Sequence, residues 1–184
     1  MEYERRSEDI GRLSLTHHRY WKIILFDLSI YSDMSDFDRL CKEFEKMDPL
    51  TYSAVIKEKS VGILTALSAI TKNGMDGMTI YADFILCSIA ADGKLSKEEF
   101  SVLQPALCLL MGKDVTYEDA RSMFKELGLD RSKDYKEVMD LMVDILGLVS
   151  QELKDDIITV CMMVCAIDGR ISFREKRWIR RLIE

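Results

Sequence analysis

The amino-acid sequence predicts an all-α protein, a helical bundle of about seven to nine helices. Apolar residues recur at helical spacing from about residue 35 to the C-terminus, and no segment there alternates as a strand does. Two nearly identical loops lie 76 positions apart, measured from Asp92 to Asp168, and each follows a strongly apolar stretch of helical length. An internal repeat of this kind places the two loops at equivalent corners of the fold.

Length and composition favour one main domain with an appended segment. The chain has 184 residues, of which 48% are hydrophobic, enough to bury a substantial core. We assign residues 1–50 to an N-terminal extension with one or two short helices, and residues 51–184 to the main helical domain. The apolar run from Tyr20 to Tyr31 is interrupted by polar residues and is too short to cross a bilayer. No basic leader with a small-residue cleavage site precedes it, which predicts a cytoplasmic protein.

The first helices follow from their apolar spacing. One begins at Ser35 and is stopped by Pro49, and a second covers residues 53–72 and ends at Asn73-Gly74. Residues 75–78 are predicted to form a separate turn. The apolar stripes are Phe37, Leu40, Cys41 and Phe44, then Ile56, Ile63, Leu64, Leu67 and Ile70. Near the N-terminus, Trp21, Ile24, Leu25 and Leu28 favour a short helix, with a buried strand as the alternative.

Two helices, at residues 79–91 and 153–167, are apolar on nearly all sides and are predicted to form a central pair. An amphipathic helix follows each repeated loop, at 97–111 and 173–183, and covers this pair. Pro105 predicts a kink near Ser101 or a division of the first of these helices. Between the repeats, one helix begins near Thr116 and ends at Gly128, and another apolar stripe runs from Tyr135 to Val149.

The five cysteines include no Cys-x-x-Cys or Cys/His ligand cluster, and an odd number cannot all pair. We interpret them as reduced, buried thiols: Cys41, Cys87, Cys108, Cys161 and Cys165. Cys161 and Cys165 share a helix face at i, i+4, so a soft-metal site with nearby methionines is the alternative to core packing.

Charge is unevenly distributed along the chain. The formal net charge of −6 argues against a general nucleic-acid binder, and no specific nucleic acid is predicted. Residues 170–184 nevertheless carry a local excess of four positive charges. This helix is suited to an acidic partner protein, an anionic membrane surface or RNA, with a solvated face as the alternative. The candidate partner-binding residues are Arg174, Arg177, Arg180 and Arg181.

The repeated loops, here called the first corner (residues 89–99) and the second corner (residues 165–175), carry four candidate metal ligands: Asp92, Glu99, Asp168 and Glu175. The two aspartates match position 5 of a calcium-binding EF-hand loop, and the two glutamates match position 12. Positions 1 and 3, which normally supply carboxylates, are Ser88 and Ala90 in one corner and Val164 and Ala166 in the other. One corner alone offers too few oxygens, whereas four carboxylates on a shared surface could recruit a divalent Ca, Mg, Mn or Zn ion.

Capping of the helix that follows each corner is the alternative interpretation of the same residues. Ser96 with Glu99, and Ser172 with Glu175, fit capping boxes, in which serine and glutamate side chains satisfy each other's backbone amides. The glycine that follows each aspartate would allow positive φ, and negative charge is favoured near a helix N-terminus. The sequence leaves both interpretations open.

Each corner reads Ala-x-Asp-Gly-x-aliphatic-Ser-x-x-Glu after a buried helix, and with this pattern the chain resembles the TerB-like family. The similarity covers about residues 53–184. The resemblance implies two pseudo-symmetric helical halves, with Asp92, Glu99, Asp168 and Glu175 as suspected metal ligands. It also implies a link to stress responses such as tellurite resistance, action alongside other proteins, and no catalytic activity.

Catalytic signatures are not evident in the sequence. The only two histidines, His17 and His18, are adjacent and cannot face each other on a helix. There is no Gly-rich phosphate loop or nucleophile motif.

We predict a non-enzymatic cytoplasmic module, and the sequence is compatible with two functions for it. One is an ion-responsive module that binds a divalent cation at the corners. The other is a metal-independent interaction or scaffold domain that uses the basic C-terminal helix or the region around Trp21.

Overall fold

The computed structural model describes residues 34–72, 74–126 and 132–184. These residues form eight α-helices and no strand, which confirms the predicted all-α class. No described helix combines the length and apolar character that crossing a bilayer requires. The predictions for the Trp21 helix, His17, His18, Asn73 and Gly128 lie outside the described residues. The helices are α1 (Met34–Glu45), α2 (Pro49–Ile70), α3 (Gly74–Ala90), α4 (Lys97–Met111), α5 (Tyr117–Glu126), α6 (Ser132–Leu146), α7 (Gln151–Cys165) and α8 (Phe173–Ile183).

The predicted central pair is confirmed as α3 and α7. The thiols of Cys161 and Cys165 on α7 donate to the carbonyl oxygens of Phe84 and Ser88 on α3, each at 3.8 Å. Helix α2 packs on both central helices, α4 and α6 pack on α3, and α8 packs on α7. Helix α1 adds its apolar stripe to the same core, with Phe37, Leu40, Cys41 and Phe44 buried.

Helix α2 differs from its prediction at both ends. Pro49 begins this helix, because Asp48 caps it by accepting the amide of Thr51 at 3.0 Å and proline needs no donor in a first turn. Ile70, assigned to the apolar stripe, is 63% exposed. Lys59 pairs with Asp156 in the second turn of α7, so the last turns of α2 extend beyond α7 and bury only the side that faces α3.

Residues 75–78 form part of α3 and not a separate turn. A Cβ atom on Gly77 would lie 2.8 Å from the backbone nitrogen of Ser68 and 2.9 Å from the carbonyl carbon of Leu67. The glycine therefore allows the backbones of α2 and α3 to approach closely. In the sequence alone, a glycine at this position looks like a turn residue.

Helix α4 is continuous through position 105, so the predicted division at Ser101 does not occur.

The cysteines are free thiols, as predicted, and all but the half-buried Cys108 are fully buried. Burial raises the pKa of the Cys161 thiol to about 12 and that of the Cys41 thiol to about 11. A thiol that stays neutral is a poor nucleophile. Cys161 and Cys165 are buried and donate to carbonyl oxygens of α3, as the core-packing interpretation predicts.

Candidate functional site

Both corners form capped helix starts, which confirms the predicted capping boxes. The hydroxyl oxygen of Ser96 accepts the amide of Glu99 at 3.1 Å, and Oε2 of Glu99 accepts the amide of Ser96 at 2.7 Å. Ser172 and Glu175 repeat the arrangement at 3.3 and 2.5 Å. The intervening turns require glycine, because the backbone φ angles of Gly93 and Gly169 are +82° and +83°.

The corner aspartates hold the turn that follows them. Oδ1 of Asp92 accepts the amide of Lys94 at 2.8 Å, and Oδ1 of Asp168 accepts the amide of Arg170 at 3.0 Å. Each turn leaves a cationic side chain exposed and buries the next aliphatic residue in the core. The two corners, which are nearly identical in sequence, therefore also share the same hydrogen bonds and the same pattern of burial.

The two corners lie at the same end of the central helix pair, because Cys161 and Cys165 of α7 donate to Phe84 and Ser88 of α3 in the same order along both helices. Burial is the main cause that raises the pKa of Glu99 to about 7, and the negative charges of Asp92 and Glu175 raise it further. Burial also raises the pKa of Glu175, with contributions from Asp92 and Asp168. The corners follow the adjacent C-terminal ends of α3 and α7, so a carboxylate in one corner contributes to the pKa of a glutamate in the other.

The four corner carboxylates, here called the acidic cluster, meet only part of what a metal site requires. Carboxylate oxygens are the ligands that Ca²⁺ and Mg²⁺ prefer. However, the described ranges contain no group of three or more His, Cys, Asp or Glu side chains that could hold a metal ion. Glu99 and Glu175 are buried and already use one oxygen each on their cap amides. The more accessible carboxylates are those of Asp92 and Asp168, and metal binding stays a prediction.

A basic groove lies beside the second corner, between α8 and α1. We call it the second-corner groove; its volume is about 480 Å³. Four cationic side chains and one carboxylate line it, together with an aliphatic and an aromatic residue. The lining residues are Asp38, Arg170, Ile171, Phe173, Lys176, Arg177 and Arg180.

Aromatic rings hold two guanidinium groups of this groove in place. Cζ of Arg177 lies 5.1 Å from the ring centroid of Phe173, and Cζ of Arg180 lies 4.8 Å from that of Phe37. The Phe37 ring is buried, whereas Phe173 is 74% exposed. An exposed aromatic ring beneath a guanidinium offers both an apolar and a cationic contact to a ligand.

One cation of the groove is neutralised internally. Nζ of Lys176 lies 2.9 Å from Oδ1 of Asp38. This hydrogen-bonded ion pair lowers the pKa of Asp38 and raises that of Lys176. Neither Arg170 nor Arg177 forms an ion pair with a carboxylate among the described residues.

The structure separates the four arginines predicted to bind a partner. Arg177 and Arg180 line the second-corner groove. Arg174 is exposed on the same helix but does not line it, and Arg181 pairs with Asp140 of α6. Sequence reasoning missed Phe173, although it is an apolar residue on a strongly basic helix. It also missed Asp38, for which no local signal exists because the fold brings it to Lys176 from 138 positions away.

No family model, no curated protein and no solved structure matches this chain. The resemblance to the TerB-like family therefore stays a prediction that rests on the two corner motifs.

Proposed function

We propose that this chain is a non-enzymatic, cytoplasmic, TerB-like interaction module that binds an acidic segment of a partner protein in the second-corner groove. The observation that carries the proposal is the pair of guanidinium groups, on Arg170 and Arg177, that have no described carboxylate partner and lie beside the exposed Phe173 ring. The grouping of these cations around one exposed ring in a groove favours ligand binding over a merely solvated basic helix.

The chemistry of the groove favours an acidic peptide that also carries apolar side chains. Arginine matches the two oxygens of a carboxylate with parallel hydrogen bonds. The exposed Phe173 ring supplies apolar surface for an aliphatic or aromatic anchor. A concave site of this size fits a peptide segment better than it fits a flat lipid surface. Electrostatic attraction between such partners speeds association and weakens with added salt.

The direct test is Arg177→Glu, with binding of a fluorescent Glu- and Leu-rich helical peptide measured by anisotropy at low salt. The substitution removes a cation, adds an anion and abolishes the contact between the guanidinium and the Phe173 ring. We therefore expect the peptide affinity to fall by about tenfold.

Arg174→Glu is the matched control, because it makes the same charge change on the same helix outside the groove. We expect it to change the affinity by less than about threefold, through long-range charge alone. Equal losses in both variants would show that net charge, and not the groove, attracts the peptide. No saturable binding by the wild-type protein would overturn the proposal.

We propose divalent-cation binding at the acidic cluster as a second candidate function. The convergence of the two corners favours it, because four carboxylates in one region lower the electrostatic potential there. Asp92 and Asp168 would supply the accessible ligands, and water would complete the coordination of a weakly held ion. The amide of Arg170 donates to Asp168, so this cluster lies directly beside the second-corner groove.

Calorimetric titration of chelator-stripped protein with calcium, magnesium, manganese and zinc tests this role. The double variant Asp92→Asn/Asp168→Asn should abolish any saturable heat, because it removes the accessible anionic ligands. Asp114→Asn/Glu152→Gln removes the same charge at exposed positions outside the corners and should retain it. Wild-type protein without saturable heat up to millimolar cation would leave the corners as helix caps.

A further inference from the structure

A second basic groove lies beside the first corner, between that loop and α5. We call it the first-corner groove; its volume is about 410 Å³. Three exposed cationic side chains and no carboxylate line it, and one of them, Arg121, also pairs with Glu118 at 3.5 Å. The lining residues are Gly93, Lys94, Leu95, Tyr117, Arg121, Phe124 and Lys125.

The two grooves share a chemical plan. In each, a cation directly follows the corner glycine, as Lys94 in one and Arg170 in the other. In each, an arginine stacks on an aromatic ring four residues earlier on the same helix. Cζ of Arg121 lies 5.8 Å from the ring centroid of Tyr117, as Arg177 does at 5.1 Å from Phe173.

The first-corner groove is also fixed to its corner. The hydroxyl of Tyr117 donates to the carbonyl oxygen of Leu95 at 2.6 Å, which ties α5 to the loop. The Phe100 ring contacts the Tyr117 ring edge to face, with centroids 5.6 Å apart. The aromatic platform beneath Arg121 is therefore held in place by α4 as well as by the corner, and it needs no ligand to form.

We infer that the first-corner groove is a second site for an acidic peptide segment, so that one partner chain carrying two acidic segments occupies both grooves. This inference rests on the proposed function of the second-corner groove and extends it to two-point binding. Two linked segments bind more tightly than one, because the second association is intramolecular.

The acidic cluster determines which polyanion fits. Each groove begins at the residue after a corner glycine, whose amide donates to Asp92 or Asp168, and both carboxylates lie at the same end of the central helix pair. A continuous polyanion such as RNA or an anionic membrane would meet this negative charge as it passed from one groove to the other. A peptide with two acidic segments joined by a neutral linker avoids it.

The experiment compares two fluorescent probes: a Glu- and Leu-rich peptide with one acidic segment, and a tandem peptide with two such segments joined by a Gly/Ser linker. The full chain should bind two single-segment peptides per molecule and should bind the tandem peptide at least about tenfold more tightly than the single one. In Arg121→Glu/Lys125→Glu, the stoichiometry should fall to one and the tandem advantage should disappear, while the second-corner groove keeps its affinity.

Lys97→Glu/Lys113→Glu is the matched control, because it reverses two exposed lysines that do not line the first-corner groove. It should retain both the stoichiometry of two and the tandem advantage. One peptide per wild-type molecule, lost on Arg177→Glu but unaffected by Arg121→Glu/Lys125→Glu, would overturn the two-point inference and leave the proposed function intact. Absence of single-segment binding would overturn both, and so would tighter binding to RNA or phosphatidylserine vesicles than to the tandem peptide.

Discussion

Trp178→Ala is expected to reduce the free energy of unfolding by about 3–5 kcal/mol, measured by urea denaturation at pH 7. Trp178 is fully buried, so truncation leaves a large cavity between α8 and the central helices. Its indole Nε1 also donates to the hydroxyl oxygen of Ser88 on α3 at 3.0 Å, and that hydroxyl donates to the carbonyl oxygen of Phe84 at 2.9 Å. The Trp178 side chain therefore links α8, which follows the second corner, to α3, which precedes the first corner.

Trp178→Phe separates the two contributions. It retains much of the buried ring but removes the donor to Ser88, and we expect a loss of about 1–2 kcal/mol. A Trp178→Ala variant that unfolds within about 1 kcal/mol of the wild-type protein would show that α8 does not depend on this contact. Since α8 carries Arg177 and Arg180, such a result would also weaken the case for a pre-formed second-corner groove.

Local sequence signals predicted the helices and the caps well because those features depend on neighbours in the chain. Ser96 and Glu99 are three positions apart, and their reciprocal hydrogen bonds follow from that spacing. The apolar character of α3 and α7 likewise identified the central pair. Such features need no knowledge of how distant elements pack.

Two errors concerned residues whose type suggested a different local structure. Gly77 looks like a turn residue, but its role is to admit the backbone of α2 at Ser68. Pro49 looks like the end of one helix, and Asp48 converts it into the start of the next. The role of Gly77 depends on a tertiary contact, whereas that of Pro49 depends on the local cap that Asp48 provides to the amide of Thr51.

The candidate site was predictable in its parts but not in its assembly. The sequence identified Asp92, Glu99, Asp168 and Glu175, yet whether they converge depends on how α3 and α7 end relative to each other. The second-corner groove needs Phe37 and Asp38 from α1, which lie well over 100 positions before Arg180 and Lys176. No periodicity within one helix encodes that pairing.

Glu99→Gln is expected to stabilise the protein by about 2 kcal/mol at pH 8, allowing for solvent screening, and to have little effect at pH 5. Burial, with the charges of Asp92 and Glu175, raises the pKa of Glu99 in the folded protein from its ordinary 4.5 to about 7. The folded state therefore holds this proton more tightly than the unfolded state does. Its contribution to stability is complete below pH 4.5 and is lost as the pH rises to about 7.

Glutamine keeps the capping box because its amide oxygen can accept the amide of Ser96, but it carries no charge to bury. The measurement is the free energy of unfolding at intervals from pH 5 to pH 8 for wild-type, Glu99→Gln and Glu98→Gln proteins. Glu98 is exposed in the same helical turn, so its variant should follow the wild-type profile. The Glu99→Gln profile should be flatter and should lie above that of the wild-type protein at pH 8. Parallel profiles would mean that the acidic cluster is well hydrated, and they would remove the electrostatic argument that the two corners meet.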